Sequence, residues 1–347
     1  MDRMVPRSKE KPRVAAVVLI VCAAVLCATG AQSADNACVA LRVQHFTAPP
    51  ATGPVVHVLA HNLRDEPYEG TVRLELPAGW AWSPAEQAVT LAAGETKRVP
   101  FAIEKATNLA ANEYPVKATA AGTSTEVVRE QTVACASAPY GKPEIDGDLA
   151  DWADSLPVAF EHEGKTTTLR TLWNRRTFYL AVEAEEAALA TGDAIQFAVA
   201  AADAETGTAP EDTAQRFEFL IAGEPPCYVL ATPGMSLAEA AQPRTLDSLD
   251  AVDAEVAVVH KEGTTYYECA IPFAAMDAFR PSAGREFCFS VLVHDADGAG
   301  LRDWGAAAGL WSSQRTPLAW SLWDGMQWGE TPPYDGKIEW GLCSSIH

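Results

Sequence analysis

The 347-residue chain carries 46 acidic against 26 basic residues, a net charge of −20, and 48% of its residues are apolar. A surface of that sign repels phosphate backbones, which argues against nucleic acid as a partner and, less firmly, against anionic polysaccharide. Few stretches show helical spacing, while many short alternating runs lie between Gly, Pro, Asn and Asp, so the chain reads as all-β and long enough for two globular domains.

The basic residues Arg3, Arg7, Lys9, Lys11 and Arg13 precede an uninterrupted apolar run, residues 14–28, and Thr29, Gly30, Ala31, Ser33 and Ala34 follow. This is the layout of a secretory signal peptide over residues 1–34, cleaved after Ala31 or Ala34. The apolar run is short for a membrane span, which needs roughly 20 residues; an uncleaved anchor is the competing reading. The expected location is secreted, periplasmic or at the cell surface, with no stable membrane association after cleavage. Losing the leader's five basic and two acidic residues leaves a net charge of −23. Six cysteines remain: Cys38, Cys135, Cys227, Cys269, Cys288 and Cys343. An even count in an exported chain reads as disulfides, and the lack of C-x-x-C spacing argues against a zinc or redox motif. The simplest pairing joins Cys38 to Cys135, which bracket one whole segment. The other four allow three pairings. The opposing reading is buried free thiols.

Residues 35–136 hold seven strand-like segments: 37–46, 55–62, 70–76, 87–91, 96–103, 114–119 and 126–135. Val72, Leu74 and Leu76 alternate with Thr71, Arg73 and Glu75, and Val99, Phe101 and Ile103 with Arg98, Pro100 and Ala102. About seven strands in about 100 residues predict an immunoglobulin-like β-sandwich. The runs His61-Asn62-Leu63, Gly70-Thr71-Val72, Pro77-Ala78-Gly79-Trp80, Leu91-Ala92-Ala93-Gly94-Glu95 and Tyr114-Pro115-Val116 resemble the immunoglobulin-like accessory domain found beside bacterial α-galactosidases. That resemblance implies a spacer. Trp80 and Trp82 are expected to pack on their own sandwich.

The run Cys135-Ala-Ser-Ala-Pro139-Tyr-Gly-Lys-Pro143 marks the boundary to residues 137–347, because two prolines cannot join a central strand. Asp146-Gly147 forms a turn, and Trp152 follows. A hairpin is predicted over 168–173 and 178–184 around the polar turn 174–177. Further strands are expected at 194–201, 216–222, 227–231, 254–260, 265–271 and 286–294. Five motifs stand in order: the Asp146-Gly147 opening with Trp152, the hairpin, Tyr267-Glu268-Cys269-Ala270-Ile271-Pro272-Phe273, the strand from Phe287 to Asp295, and the closing run through Trp304 to Leu322. Together they resemble the family 9 carbohydrate-binding modules over roughly residues 142–323. The resemblance implies a second antiparallel β-sandwich and a sugar-binding role. Trp152, Trp173, Trp304 and Trp320 occupy motif positions and are expected in the core, with Trp340.

Sugar binding uses flat aromatic faces against the C–H side of a pyranose and planar polar groups for its hydroxyls. In the family modules two tryptophans sandwich the terminal sugar. Here the first would fall near Ala190, where residues 187–191 hold no aromatic, and the second near Gln314, with Trp311 close by. Asp193 matches the family's Asp, and Gln196 stands where a Glu often sits; a Gln still offers two donors and an acceptor. Trp311, Trp323 and Trp328 are the loop aromatics left, read either as core or as the stacking platform for a neutral glycan, with Asp193 and Gln196 as that platform's hydrogen-bonding partners. The alternative is a degenerate module with a structural or protein-interaction role. Asp146, Asp148 and Asp151 crowd one turn, and Asp295 and Asp297 another. Hard oxygen ligands suit structural calcium, which the resemblance also allows; the competing reading is capping of backbone amides. Haem held by Met235, Met276, His260 or His294 is a third class. There is no Gly-x-Ser-x-Gly elbow, His-Glu-x-x-His or phosphate loop, so no enzymatic activity is expected.

Overall fold

In a computed structural model the described residues are 38–123, 125–201, 216–223, 225–235, 245–277, 279, 283–295, 300–304 and 341–346. The leader, Trp311, Trp320, Trp323, Trp328 and Trp340 lie outside them. Among the described residues no helix is long and apolar enough to cross a membrane.

The first sandwich uses β1 (Val39–Val43), β2 (Val55–Asn62), β3 (Tyr68–Glu75), β4 (Ala81–Ser83), β5 (Glu86–Leu91), β6 (Thr96–Lys105), β7 (Tyr114–Gly122) and β8 (Glu126–Val133). They form two four-stranded sheets, in the orders β1-β2-β6-β4 and β5-β3-β7-β8. Alternation works as predicted: Val72, Leu74 and Leu76 from β3 and its end, and Val99, Phe101 and Ile103 from β6, all enter one core. Strand β4 went unpredicted because three residues carry too little pattern. Trp80 packs against Phe46 and Tyr114, and Trp82 also lies against this core, so both tryptophans serve their own sandwich.

The second sandwich contains β9 (Ser137–Pro139), β10 (Val158–His162), β11 (Lys165–Trp173), β12 (Thr177–Glu185), β13 (Ala194–Ala201), β14 (Arg216–Ile221), β15 (Cys227–Ala231), β16 (Ala251–Val252), β17 (Glu255–Lys261), β18 (Thr264–Pro272), β19 (Arg285–Asp295), β20 (Gly300–Trp304) and β21 (Gly341–Ile346). One sheet has the order β10-β11-β12-β18-β17. The other runs β16-β15-β14-β13-β19-β21-β9, and β20 also pairs with β19. Phe178, Phe197, Phe219, Phe287 and Phe289 fill the space between the sheets with Val182, Ile195 and Ile271. Trp152 and Trp173 are buried as expected.

The cysteines correct one expectation. Cys135 lies beside Phe46 in a parallel bridge, whereas Cys38 precedes the opposite end of β1. Eight residues of extended chain separate Phe46 from Cys38, about 26 Å at strand rise. A disulfide requires Cα atoms roughly 4.4–6.8 Å apart. Cys38 instead contacts Thr125 through its sulfur, and Cys135 contacts Ser137. The five cysteines whose side chains are described are all free and buried.

Candidate functional site

The opening turn is tied to the third motif, on β18. Gly147 takes φ +83°, a left-handed conformation that favours glycine. The backbone N–H groups of Asp146 and Gly147 donate to Oε2 of Glu268 on β18, the former at 3.0 Å, and Trp152 Nε1 donates to its Oε1 at 2.7 Å. Burial raises the pKa of Glu268, and the bonds from Gly147, Trp152 and Asp146 pull it back. The three aspartates expected to hold calcium are spent on amides. Asp146 Oδ1 accepts from Asp148 N, Asp148 Oδ1 from Ala150 N, and Asp151 Oδ2 from Glu144 N. Their oxygens do not converge as ligands; among the described residues only Glu186, Asp193 and Asp295 do. Asp148 instead caps the short 3₁₀ turn Leu149–Trp152 that buries Trp152.

Asp193 sits just before β13, where its Oδ2 accepts the Ala190 N–H at 2.5 Å and closes the loop between β12 and β13. Its carboxylate lies within 4.8 Å of those of Glu186 and Asp295, and all three are buried. Arg302 on β20 reaches the group, 2.9 Å from Asp295 Oδ2 and 3.8 Å from Glu186 Oε2. Lys165 on β11 adds a second cation, 2.7 Å from Asp295 Oδ2. Among the described residues the Glu186 oxygens and the Tyr267 hydroxyl beside the cluster make no hydrogen bond of standard geometry, and the Thr265 side chain is the polar neighbour that acts on Glu186. Burial, with Asp193 and Asp295 alongside, pushes Glu186 up to about 7, against the pull of Thr265 and Arg302. The donor set is right in kind for a hard cation. Its charge, however, is already met by Arg302 and Lys165, and calcium would have to displace a guanidinium from Asp295. The cluster fits an internal ion-pair network better than an ion site.

Gln196 lies three residues further, at the centre of β13. Ile195, Phe197 and Val199 enter the core, so alternation turns Gln196 to the opposite face of the sheet. Cross-strand register puts Ala198 beside Glu218 and Ser290, Ala194 beside His294, and Ala200 beside Arg216. The second face of a sandwich is ordinarily solvated. Here Gln196, Arg216, Glu218, Ser290 and His294 are each at most 1% exposed. The buried polar layer is ordered. Gln196 Nε2 donates to Glu218 Oε1 at 2.6 Å, and His294 Nε2 lies 2.7 Å from Gln196 Oε1. A carboxylate only accepts, which fixes the amide's orientation and makes His294 Nε2 the donor. Arg216 Nε stands 3.5 Å from Glu218 Oε2.

The sequence-derived site residues therefore separate. Asp193 and Gln196 share one strand and its approach, yet serve two buried networks, and neither presents its side chain to solvent. Trp311, Trp323 and Trp328 lie outside the described residues. Three of the four haem candidates lie apart: Met276 is in the core, His294 is on the outer polar layer, and His260 is bonded to Thr265 at 2.9 Å on β17–β18. Glu218, Arg216 and Glu186 escaped sequence reasoning, because a charged residue inside an apolar strand carries no signal of its partner across the sheet.

Residues 51–123 match the family described as the NPCBM-associated, NEW3 domain of alpha-galactosidase. No curated protein matches the chain. Among solved structures, the chain is similar to a family 9 carbohydrate-binding module from Caldicellulosiruptor kristjanssonii in complex with cellotriose. Identity is 12%, the TM-score is 0.36, and the match covers 61% of this chain and 93% of that one. The same module in complex with glucose matches at 11% identity and TM-score 0.37, over 60% and 94% of the two chains. A protein from Bacteroides uniformis described as a putative carbohydrate-binding protein matches at 10% identity and TM-score 0.35, over 60% and 97%.

Proposed function

We propose that the chain is an exported, non-catalytic carbohydrate-binding protein, its second sandwich carrying the site and its first acting as a spacer. The observation that carries this reading is the buried polar layer of Gln196, Glu218 and His294 on a sheet face that would otherwise be wet. Five motifs in family 9 order, from Asp146 to Leu322, support it. In this reading Trp311, Trp323 and Trp328 stack on a neutral glycan. Gln196 and Asp193 act as supports, Gln196 holding the polar layer and Asp193 closing the loop at Ala190, in place of the direct hydroxyl contacts expected from sequence.

The test is a glycan panel run on the mature chain with calcium and with a chelator, headed by cellotriose and glucose. Binding lost in Trp311→Ala, Trp323→Ala or Trp328→Ala supports the reading and locates the platform. Binding is expected to survive the chelator, since Arg302 and Lys165 already neutralise the carboxylates. Loss with the chelator alone would place calcium among Glu186, Asp193 and Asp295. A folded protein that binds no glycan overturns the reading and leaves a structural or protein-interaction role.

A further inference from the structure

A second site lies at the other end of the hairpin from the Asp193 loop. Tyr140, Gly141, Lys142, Asn174, Arg175 and Arg176 line an open cleft of about 550 Å³, completed by Thr177 and Tyr179. Lys142, Arg175 and Arg176 are all exposed. Among the described residues no carboxylate forms a salt bridge with any of these three cations, which line the cleft. In a chain where carboxylates outnumber cations by 46 to 26, such a group is a local reversal of charge. Glu255 acts electrostatically on Tyr179 of the cleft.

The cleft is also held in shape. Asn174 Oδ1 accepts from the backbone N–H of Arg176 at 2.8 Å and of Thr177 at 3.0 Å, and its Nδ2 donates to the Tyr179 hydroxyl at 2.6 Å. The turn carrying both arginines is thereby fixed before any ligand arrives, which lowers the ordering cost of binding. On the opposite wall Tyr140 bridges to Trp173, and its ring meets the Trp173 ring edge-on at 5.4 Å. Tyr140 nevertheless stays 42% exposed, one of the few large hydrophobic side chains to do so.

We propose that this cleft binds a carboxylated sugar, a uronic-acid unit of an oligosaccharide. Guanidinium groups match carboxylates in a planar, two-point geometry. An exposed aromatic side chain offers the flat apolar surface that the C–H side of a pyranose needs. The choice of a sugar as the carrier of the carboxylate rests on the carbohydrate-binding reading; the anion preference rests on the cleft alone. The net charge of −20 disfavours a long polyanion, whereas a short uronate feels chiefly charges within a Debye length, about 8 Å at physiological salt.

The experiment is calorimetric titration of the mature chain with trigalacturonate and, in parallel, cellotriose. The variants are the double substitution Arg175→Ala/Arg176→Ala and, separately, Tyr140→Ala, both checked for folding by circular dichroism. Trigalacturonate should bind, should weaken at least tenfold in each variant, and should weaken as salt is raised; cellotriose should be indifferent to the arginine change. Uronate binding untouched by the double variant overturns the proposal, as does a folded parent that binds cellotriose and ignores trigalacturonate. Uronate binding lost with the arginines, in a chain blind to every neutral glycan, upholds the cleft and sinks only the neutral-glycan platform. A chain that binds neither sinks both.

Discussion

Glu186 carries an unusual proton. It is buried with two other carboxylates, and its pKa rises to about 7. In the unfolded chain a glutamate titrates near 4.3. Between those values the folded state holds a proton that the unfolded state has lost, so folding stability falls as pH rises through this window. The contribution is fully present below about pH 4.3 and gone above about 7. Glu186→Gln keeps the shape and removes the charge. It should raise the melting temperature of the second sandwich at pH 8 and leave it nearly unchanged at pH 5. Thermal melts of parent and variant across that range check this, and a variant whose curve runs parallel to the parent's would show that Glu186 is not the group responsible.

The turn before Trp152 and strand β18 depend on each other more than on their own sequences. Gly147 needs a left-handed φ, and a Cβ there would run into the Val259 side chain on β17. Gly147→Ala should therefore cost roughly 1–3 kcal/mol, the range for strain of this kind. Glu268→Ala should cost about 3 kcal/mol or more, because it strands the Trp152 and Gly147 donors in a buried site. Urea unfolding of the two variants measures both; a Glu268→Ala change of under ~0.5 kcal/mol would mean that water replaces the carboxylate. The turn and the Tyr-Glu-x-x-Ile-Pro strand were both legible in the sequence as separate motifs. Their contact was not, because Gly147 and Glu268 stand 121 positions apart and neither local pattern encodes its partner. The same holds for the sheets. β13 and β15 fall at the expected bounds, since short apolar-rich runs announce themselves, even with Gln196 inside β13. β10 is exposed along most of its length and alternates poorly, so it was missed. Asp193 and Gln196 were singled out by motif position. Their burial was invisible, because alternation says which face a residue takes and not whether that face is wet.

Polar contacts join the two sandwiches, beside the Leu156 side chain packed against the first core. Arg98 on β6 donates from Nη2 to both oxygens of Glu286 on β19 at 3.0 Å, and Thr47 donates to Glu286 as well. Asn112 donates to the carbonyls of Cys135 and Pro157, binding a loop of the first sandwich to the chain entering the second. Residues 35–347 accordingly behave as one compact unit. His57 on β2 senses this junction. Burial and, after it, Arg98 lower its pKa to about 4, against an upward pull from Glu286 of the other sandwich. His45 and His61 are also lowered to about 4, His45 by burial and Arg42, His61 by burial. His45 moreover accepts the Ala134 N–H on Nδ1, which an imidazolium cannot do. A lowered histidine binds fewer protons folded than unfolded, so its stability is complete above about 6.5 and is lost as pH falls toward 4. The first sandwich is thus weakened by acid in the window where Glu186 favours the second. Arg98→Ala removes the junction's bidentate pair, at roughly 1.5–3 kcal/mol. It should also let the His57 pKa climb, whereas Glu286→Gln should lower it further. Histidine titration by NMR reads both shifts. Opposite movements of His57 in the two variants, with His61 unmoved, would establish that the junction forms in solution as described; no movement in Glu286→Gln would separate the sandwiches. Calorimetry of Arg98→Ala near pH 5 should then resolve two transitions, the first sandwich melting before the second.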